Sequence, residues 1–282
     1  YQSGFGFPKF KKKDQHDNCR IPSRFRVCKN SIKIPKIGFI ACNKHRSLEG
    51  KPKNLTIYKE NGKWYVSICI EFTPKKLKKT KSKIGLDLGV KRFATASDNK
   101  FKKSFLNVKG VKQILAKIKT TSRELSRRKK GSNSWLKTKA KLQKLHFKLK
   151  NKRLDYLHKY SLLLVQRHDL IAIEDLKVKN ITKSSKGTLE NPGKNVKQKS
   201  GLNRNILAQG WSIFTSMLTY KCEWYGKTLV KVKPNFTSQT CSMCGKKSRK
   251  NRLSQSRFKC ISCGFKLNAD QNASRNILAL AI

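Results

Sequence analysis

The chain is 282 residues long and carries 67 Lys+Arg against 15 Asp+Glu, a formal net charge of +52. Self-repulsion on this scale opposes a compact state unless a polyanion offsets it, which points to nucleic acid or an anionic membrane surface. Apolar runs such as 161–165 and 170–173 fall far short of the ~18 residues a spanning helix needs, and no lipidation signal or secretory leader is expected, so a membrane partner is set aside.

Hydrophobic residues make up 37% of the chain, enough to build a core, and the length suits about two domains. Residues 1–80 predict a β-rich domain with strands at 31–34, 37–42, 55–58 and 64–72. The last two are joined by Glu60-Asn61-Gly62, a hairpin signal. Residues 75–83 are Lys, Thr and Ser with little to bury, and predict a linker. A second domain, 81–282, opens with strands at 84–90, 93–97 and 101–106 in an antiparallel meander, with Asp98-Asn99 at its second turn.

A basic helical hairpin is expected over 109–167. Ile114, Leu115, Ile118, Ser122 and Leu125 mark a face of its first helix. After the Gly131-Ser132-Asn133 break, Leu142, Leu145, Leu149, Tyr156, Tyr160 and Leu163 mark the second. Residues 109–153 hold 17 Lys/Arg and one acid, Glu124. A short buried strand at 170–173 ends at Glu174-Asp175, and the Lys-rich stretch 177–199 predicts a mobile loop. Leu207, Trp211, Phe214, Leu218, Cys222 and Tyr225 follow a helical period that Gly226 stops. A strand at 228–232 precedes Pro234, and a last helix runs over 273–280. The fold class is α/β.

Two chemical constellations stand out. Cys241-x-x-Cys244 and Cys260-x-x-Cys263 lie 15 residues apart, the spacing of a Cys₄ zinc ribbon, here over 236–268. Four protein ligands leave no open position, so this Zn²⁺ is structural. Cys19, Cys28, Cys42, Cys69 and Cys222 sit singly among apolar neighbours, which fits reduced thiols and a cytoplasmic protein, with nucleoid association open to it, better than a disulfide framework.

The second constellation is acidic. Asp87 lies inside an apolar strand, Glu174 at a strand end, and Asp270 at the opening of the last helix. A strand carboxylate is costly to bury without a cation, and three such groups converging in space suit two divalent metals for phosphodiester hydrolysis. Taken singly, Asp270 also fits a helix N-cap, Glu174-Asp175 a solvated turn, and Asp87 a structural buried acid. His16, His45, His146, His158 and His168 show no metal spacing, and there is no Walker-type loop.

Residues 84–90 (IGLDLGV) with Phe93-Ala94-Thr95, then Ile173-Glu174-Asp175-Leu176, Thr237-Ser238-Gln239-x-Cys241-x-x-Cys244-Gly245 and Asn268-Ala269-Asp270-Gln271-Asn272-Ala273 resemble the TnpB (OrfB) family of insertion-sequence proteins, relatives of type V CRISPR effectors. The resemblance covers most of 84–282. It implies a RuvC-like nuclease of RNase H fold, interrupted by the helical hairpin and the zinc ribbon, and guided by a transposon-derived RNA. On it, Asp87, Glu174 and Asp270 bind Mg²⁺ or Mn²⁺ as the catalytic triad, and Cys241, Cys244, Cys260 and Cys263 bind Zn²⁺. Gly6-Phe7-Pro8-Lys9-Phe10 and Lys33-Ile34-Pro35-Lys36-Ile37-Gly38 resemble the later part of the family's wedge domain, so the expectation is an N-terminally truncated member that lacks the first wedge strand and the recognition domain.

The expected function is a transposon-encoded, RNA-guided, metal-dependent DNA endonuclease, with DNA and guide RNA as partners. Two alternatives stay open: a DNA transposase that uses the same site but transfers a 3′-hydroxyl, and a nucleic-acid-binding remnant without activity.

Overall fold

The computed structural model describes residues 17–98, 105 and 108–282, and the chain divides into two units, Tyr1–Pro74 and Lys75–Ile282. The wedge-like motif at 6–10 and almost all of the strand expected at 101–106 lie outside the described residues.

The first unit is all β: β1 (Asn18–Ile21), β2 (Arg26–Val27), β3 (Ser31–Ile34), β4 (Gly38–Ala41), β5 (Lys51–Glu60) and β6 (Lys63–Glu71). They form two antiparallel sheets, ordered β1-β5-β6 and β2-β3-β4. Asn61 and Gly62 both hold positive φ, 53° and 75°, the primed turn that matches the twist of a hairpin. Ile32, Ile34 and Leu55 make a small buried core. Cys19 and Cys69 are exposed and Cys28 and Cys42 half-buried, so of the five single cysteines Cys222 alone is buried. Alternation explains Cys69, whose neighbours Ile68 and Ile70 point to the opposite face of β6, whereas Cys19 lies between Asn18 and Arg20 on an exposed part of β1.

The second unit follows in chain order as β7 (Lys83–Leu88), β8 (Ala94–Ala96), α1 (Val111–Arg127), α2 (Asn133–Arg167), β9 (Leu170–Glu174), α3 (Val178–Ile181), α4 (Val196–Gln209), α5 (Trp211–Tyr225), β10 (Thr228–Val232), β11 (Arg257–Lys259), β12 (Lys266–Asn268) and α6 (Ala269–Ala279). The main sheet is ordered β10-β9-β7-β8. β8 runs antiparallel to β7, whereas β9 is parallel to both β7 and β10. Parallel neighbours need long crossovers, which α1 with α2, and then α3 to α5, supply.

Period two sorts the sheet residues onto its faces. Ile84, Leu86, Leu88, Ile171 and Ile173 join the large core with Leu157, Leu164, Phe214 and Leu218 of α2 and α5. Phe93 is fully buried there, edge-on to Tyr156, Tyr160 and Phe214 at centroid distances of 5.6, 5.8 and 4.9 Å. Ala172 and Val232 pack on the other side against Ile277 of α6.

Four expectations need correction. The buried face of α1 runs through Val111, Ile114 and Thr121, while Leu115 and Ser122 are exposed. Thr121 fills a seam position that an apolar pattern does not show. The helix expected through Leu207 and Trp211 is two helices broken at Gly210. The stretch 177–199 is structured: it contains α3 and the start of α4, and Lys199 Nζ and Asn203 Nδ2 donate to the carbonyls of Ile181 and Thr182 at 2.8 and 2.9 Å. Val178 and Ile181 of α3 pack against the large core, and side chains that cap backbone carbonyls hold the stretch further.

The fourth concerns 75–83, which is tied down within the second unit. Asp169 accepts from the backbone N–H of Thr80 at 2.8 Å and of Lys81 at 2.6 Å, and pairs with Lys227 at 2.5 Å. Lys227, whose side chain is 1% exposed, also donates to the Lys78 carbonyl at 2.7 Å. Leu77 N–H donates to the Tyr225 carbonyl at 3.1 Å. Among the described residues no helix is long and apolar enough to cross a membrane.

The Lys227 hydrogen bond and the backbone N–H of Thr80 hold the Asp169 carboxyl well below the usual carboxylate range. Because the folded-state value is depressed, its stabilisation is in force above about pH 4 and is lost as pH falls through the lowered value. Asp169→Asn therefore lowers Tm at neutral pH, and the gap from wild type persists down to about pH 4, closing only in stronger acid. Thermal melts across that range test this; a gap that closes near pH 6 would contradict it.

Candidate active site

Gly85 and Asp87 lie two apart on β7 and so share a face, the one that α6 covers. A Cβ on Gly85 would collide with the Ser274 carbonyl oxygen and lie 2.7 Å from the Leu278 nitrogen. The helix backbone therefore rests directly on the strand. Asp270 precedes Ser274 by one turn of α6, which brings it toward the Asp87 end. Glu174 ends β9, opposite Val232 of β10 and on the same face as Ala172. The N-cap of α6 is Asn268, whose Oδ1 accepts from the backbone N–H of Asp270 and Gln271, so the Asp270 carboxylate is not the cap.

All three carboxylates are half-buried. Burial, then the charge of Glu174, then that of Asp270 push the Asp87 carboxyl up to about 7, against a smaller pull from Arg252. Burial raises Glu174 as well, opposed by Thr237, whose hydroxyl donates to Oε1 at 2.6 Å. The structure thus brings Asp87, Glu174 and Asp270 into electrostatic contact, although not to the close ligand spacing of the four thiols.

Those thiols, Cys241, Cys244, Cys260 and Cys263, have their sulfurs within 4.8 Å of one another. Cys241 lies 3.7 Å from Cys263, and Cys244 lies 3.6 Å from Cys260. A tetrahedron with Zn–S bonds of about 2.3 Å has edges of about 3.8 Å, so the four can hold zinc. Gly245 and Gly264 follow the knuckles at φ of 74° and 71°, a conformation that side chains resist. Their N–H groups donate to the carbonyls of Cys241 and Cys260, closing each turn. Backbone N–H groups of Cys263 and Ser262 lower the Cys260 thiol while neighbouring thiols raise that of Cys263, so the clustered sulfurs hold protons at one another's expense.

Buried amides join ribbon to site. Asn251, 0% exposed, donates to the carbonyls of Gln239 and Lys246 at 3.0 and 2.9 Å and accepts from Ile261 N–H at 3.0 Å, linking the two knuckles. Asn272 and Asn276 of α6 both donate to the Thr240 carbonyl, at 2.8 and 2.7 Å, and Asn276 also donates to that of Thr237 at 2.8 Å. None of these stood out in the sequence. The usable signal was Asn272 and Asn276 four apart on one helix face.

Residues 67–185 match the family described as "Probable transposase" (OrfB_IS605), and residues 211–277 match "Cas12f1-like, TNB domain". "Putative RNA-guided DNA endonuclease InsQ" of Escherichia coli (strain K12) is 44% identical over 97% of this chain and 68% of its own length. The chain belongs to the TnpB/OrfB family. A further TnpB relative, "TnpB-like protein L79" of Acanthamoeba polyphaga mimivirus, is 30% identical over 82% of this chain, which spans 44% of that protein. A solved Cas12f1 complex with sgRNA and target DNA aligns at a TM-score of 0.48 and 21% identity, covering 93% of this chain and 66% of that one.

The thiol geometry predicts one zinc per purified chain by elemental analysis. Cys260→Ser should lose the metal and expose 236–268 to protease, since a short ribbon with few apolar residues does not order itself unaided. A metal-free ribbon that stays protease-resistant would refute this. Gly85→Ala should lower Tm and displace α6, because the obstructing atoms are backbone; the cost is expected at about 2–4 kcal/mol, the upper range for overpacking. A wild-type melting curve would contradict the seating described.

Proposed function

We propose that this chain forms the nuclease part of a transposon-encoded, RNA-guided, divalent-metal-dependent DNA endonuclease. The observation that carries the proposal is the approach of Asp87, Glu174 and Asp270, from two strands and a helix, on one face of the sheet. Identity of 44% with a relative named for RNA-guided DNA cleavage supports it. A mixed sheet whose first strand, β7, lies between an antiparallel hairpin partner and parallel crossover strands supports a RuvC-like domain of RNase H fold over 81–282. In this reading 109–167 is an inserted basic hairpin, 236–268 an inserted zinc ribbon and the first unit, Tyr1–Pro74 rather than the 1–80 expected, a partial wedge-like domain.

Carboxylate oxygens are hard ligands suited to Mg²⁺ or Mn²⁺. Burial first, and then the charges of Glu174 and Asp270, raise the Asp87 carboxyl, and a cation held by the three would relieve the repulsion among them. When bound, the metal supplies the charge that activates water and steadies the leaving oxygen of a phosphodiester. Asp87 is held by the strand, Asp270 by the first turn of α6, and Glu174 is turned by the Thr237 hydroxyl, the kind of outer contact that fixes a ligand's orientation. Zinc on the four thiols supplies folding energy to the ribbon that carries Thr237 toward Glu174.

DNA and a guide RNA are the partners. The hairpin surface grips phosphates without reading sequence, which base pairing with the guide supplies. A cytoplasmic setting is supported by cysteines that form no disulfide among the described residues.

Asp87→Ala and Asp87→Asn, assayed with guide RNA, target DNA and Mg²⁺, should lose at least about 100-fold in cleavage while DNA affinity is kept. Undiminished cleavage by Asp87→Ala would sink the assignment, and equal loss of binding would make Asp87 architectural. Donor DNA covalently joined to target would favour strand transfer over hydrolysis.

A further inference from the structure

Phe236 holds φ at +63°, the left-handed region that bulky side chains avoid. The other non-glycine residues at positive φ among those described are Arg24, Lys36, Asn61, Lys81 and Asn195, so Phe236 is the one aromatic in that set. Its conformation is locked: the Phe236 carbonyl accepts from Gln239 N–H at 2.9 Å and from both the N–H and the hydroxyl of Thr240 at 3.0 Å.

Core packing does not account for the ring. Phe236 belongs to none of the buried clusters among the described residues and is 47% exposed. Lys247 Nζ lies over it, 3.0 Å from the ring centroid. The next residue is Thr237, whose hydroxyl meets Glu174 and whose carbonyl is held by Asn276. An exposed, cation-backed aromatic is therefore fixed one residue from the group that orients a site carboxylate. An outlier held in place by its surroundings at such a position points to a role beyond folding.

We propose that Phe236 is a stacking platform for a base of single-stranded DNA, positioning the strand to be cut beside Asp87, Glu174 and Asp270, with Lys247 offering its charge to the adjoining phosphate. This rests on the nuclease reading above. Aromatic faces accept any base, which suits a protein that leaves sequence reading to a guide.

The test uses the 282-residue chain and a single-stranded DNA oligonucleotide carrying one 2-aminopurine, without Mg²⁺, with anisotropy reporting affinity and 2-aminopurine fluorescence reporting stacking. Wild type should quench the probe. Phe236→Gly should abolish quenching and weaken binding roughly tenfold, with the salt dependence of binding unchanged because the phosphate contacts remain. Phe236→Trp should restore quenching. Glycine accepts the left-handed conformation, so Phe236→Gly should match or exceed the wild-type Tm, whereas a purely structural Phe236 would make that variant less stable. Quenching that survives Phe236→Gly, or a fall in Tm with binding unchanged, overturns the proposal. Because this assay needs no metal, its failure is separate from failure of the carboxylate reading, which Asp87→Asn cleavage reports.

Discussion

The backbone of α6 lies directly on β7 at Gly85, and the rest of the second unit is arranged around that contact. Any side chain at Gly85 would strike the Ser274 carbonyl. With hydrogen there, the helix sits close enough for Asp270 to feel Asp87, and Ile277 reaches Ala172 and Val232 on the neighbouring strands. The other face of the sheet is a conventional apolar core against α2 and α5. A strand that presents leucine and isoleucine to one side and glycine and aspartate to the other is unusual in composition, and both sides follow from one alternation.

The ribbon is not an appendage to this arrangement. Asn272 and Asn276 clasp Thr240 and Thr237 from the helix that also carries Asp270, and Thr237 reaches Glu174. A chain of hydrogen bonds thus runs from the thiol cluster to a carboxylate. Each of these amides is buried, where an unmade hydrogen bond is expensive, so the clasp defines one geometry better than surface contacts could.

Much of this was legible in the sequence because it rests on periodicity and spacing. Strands 31–34 and 228–232 have the expected bounds, the Asn61-Gly62 turn is the hairpin expected, and the four cysteines converge as their spacing implied. Asp87, Glu174 and Asp270 stand on a strand, a strand end and a first helical turn, as the sequence suggested. What escaped was carried by polar side chains acting on distant backbone. Asp169 anchors 80–82 from nearly ninety residues away, Lys199 and Asn203 help to order the loop before them, and Asn268 takes the cap that Asp270 could have filled. Such contacts leave no repeating pattern, and lysine-rich stretches look alike whether anchored or free.

The hairpin of α1 and α2 packs through a narrow seam while 17 cations and a single acid occupy residues 109–153. Two parallel rods of like charge push apart, and the seam opposes them. Salt screens that repulsion, so the strain on the seam grows as the medium is diluted. The few buried residues that make the seam, Val111, Ile114 and Thr121 among them, therefore bear a load set by the surrounding ions as well as by their own packing.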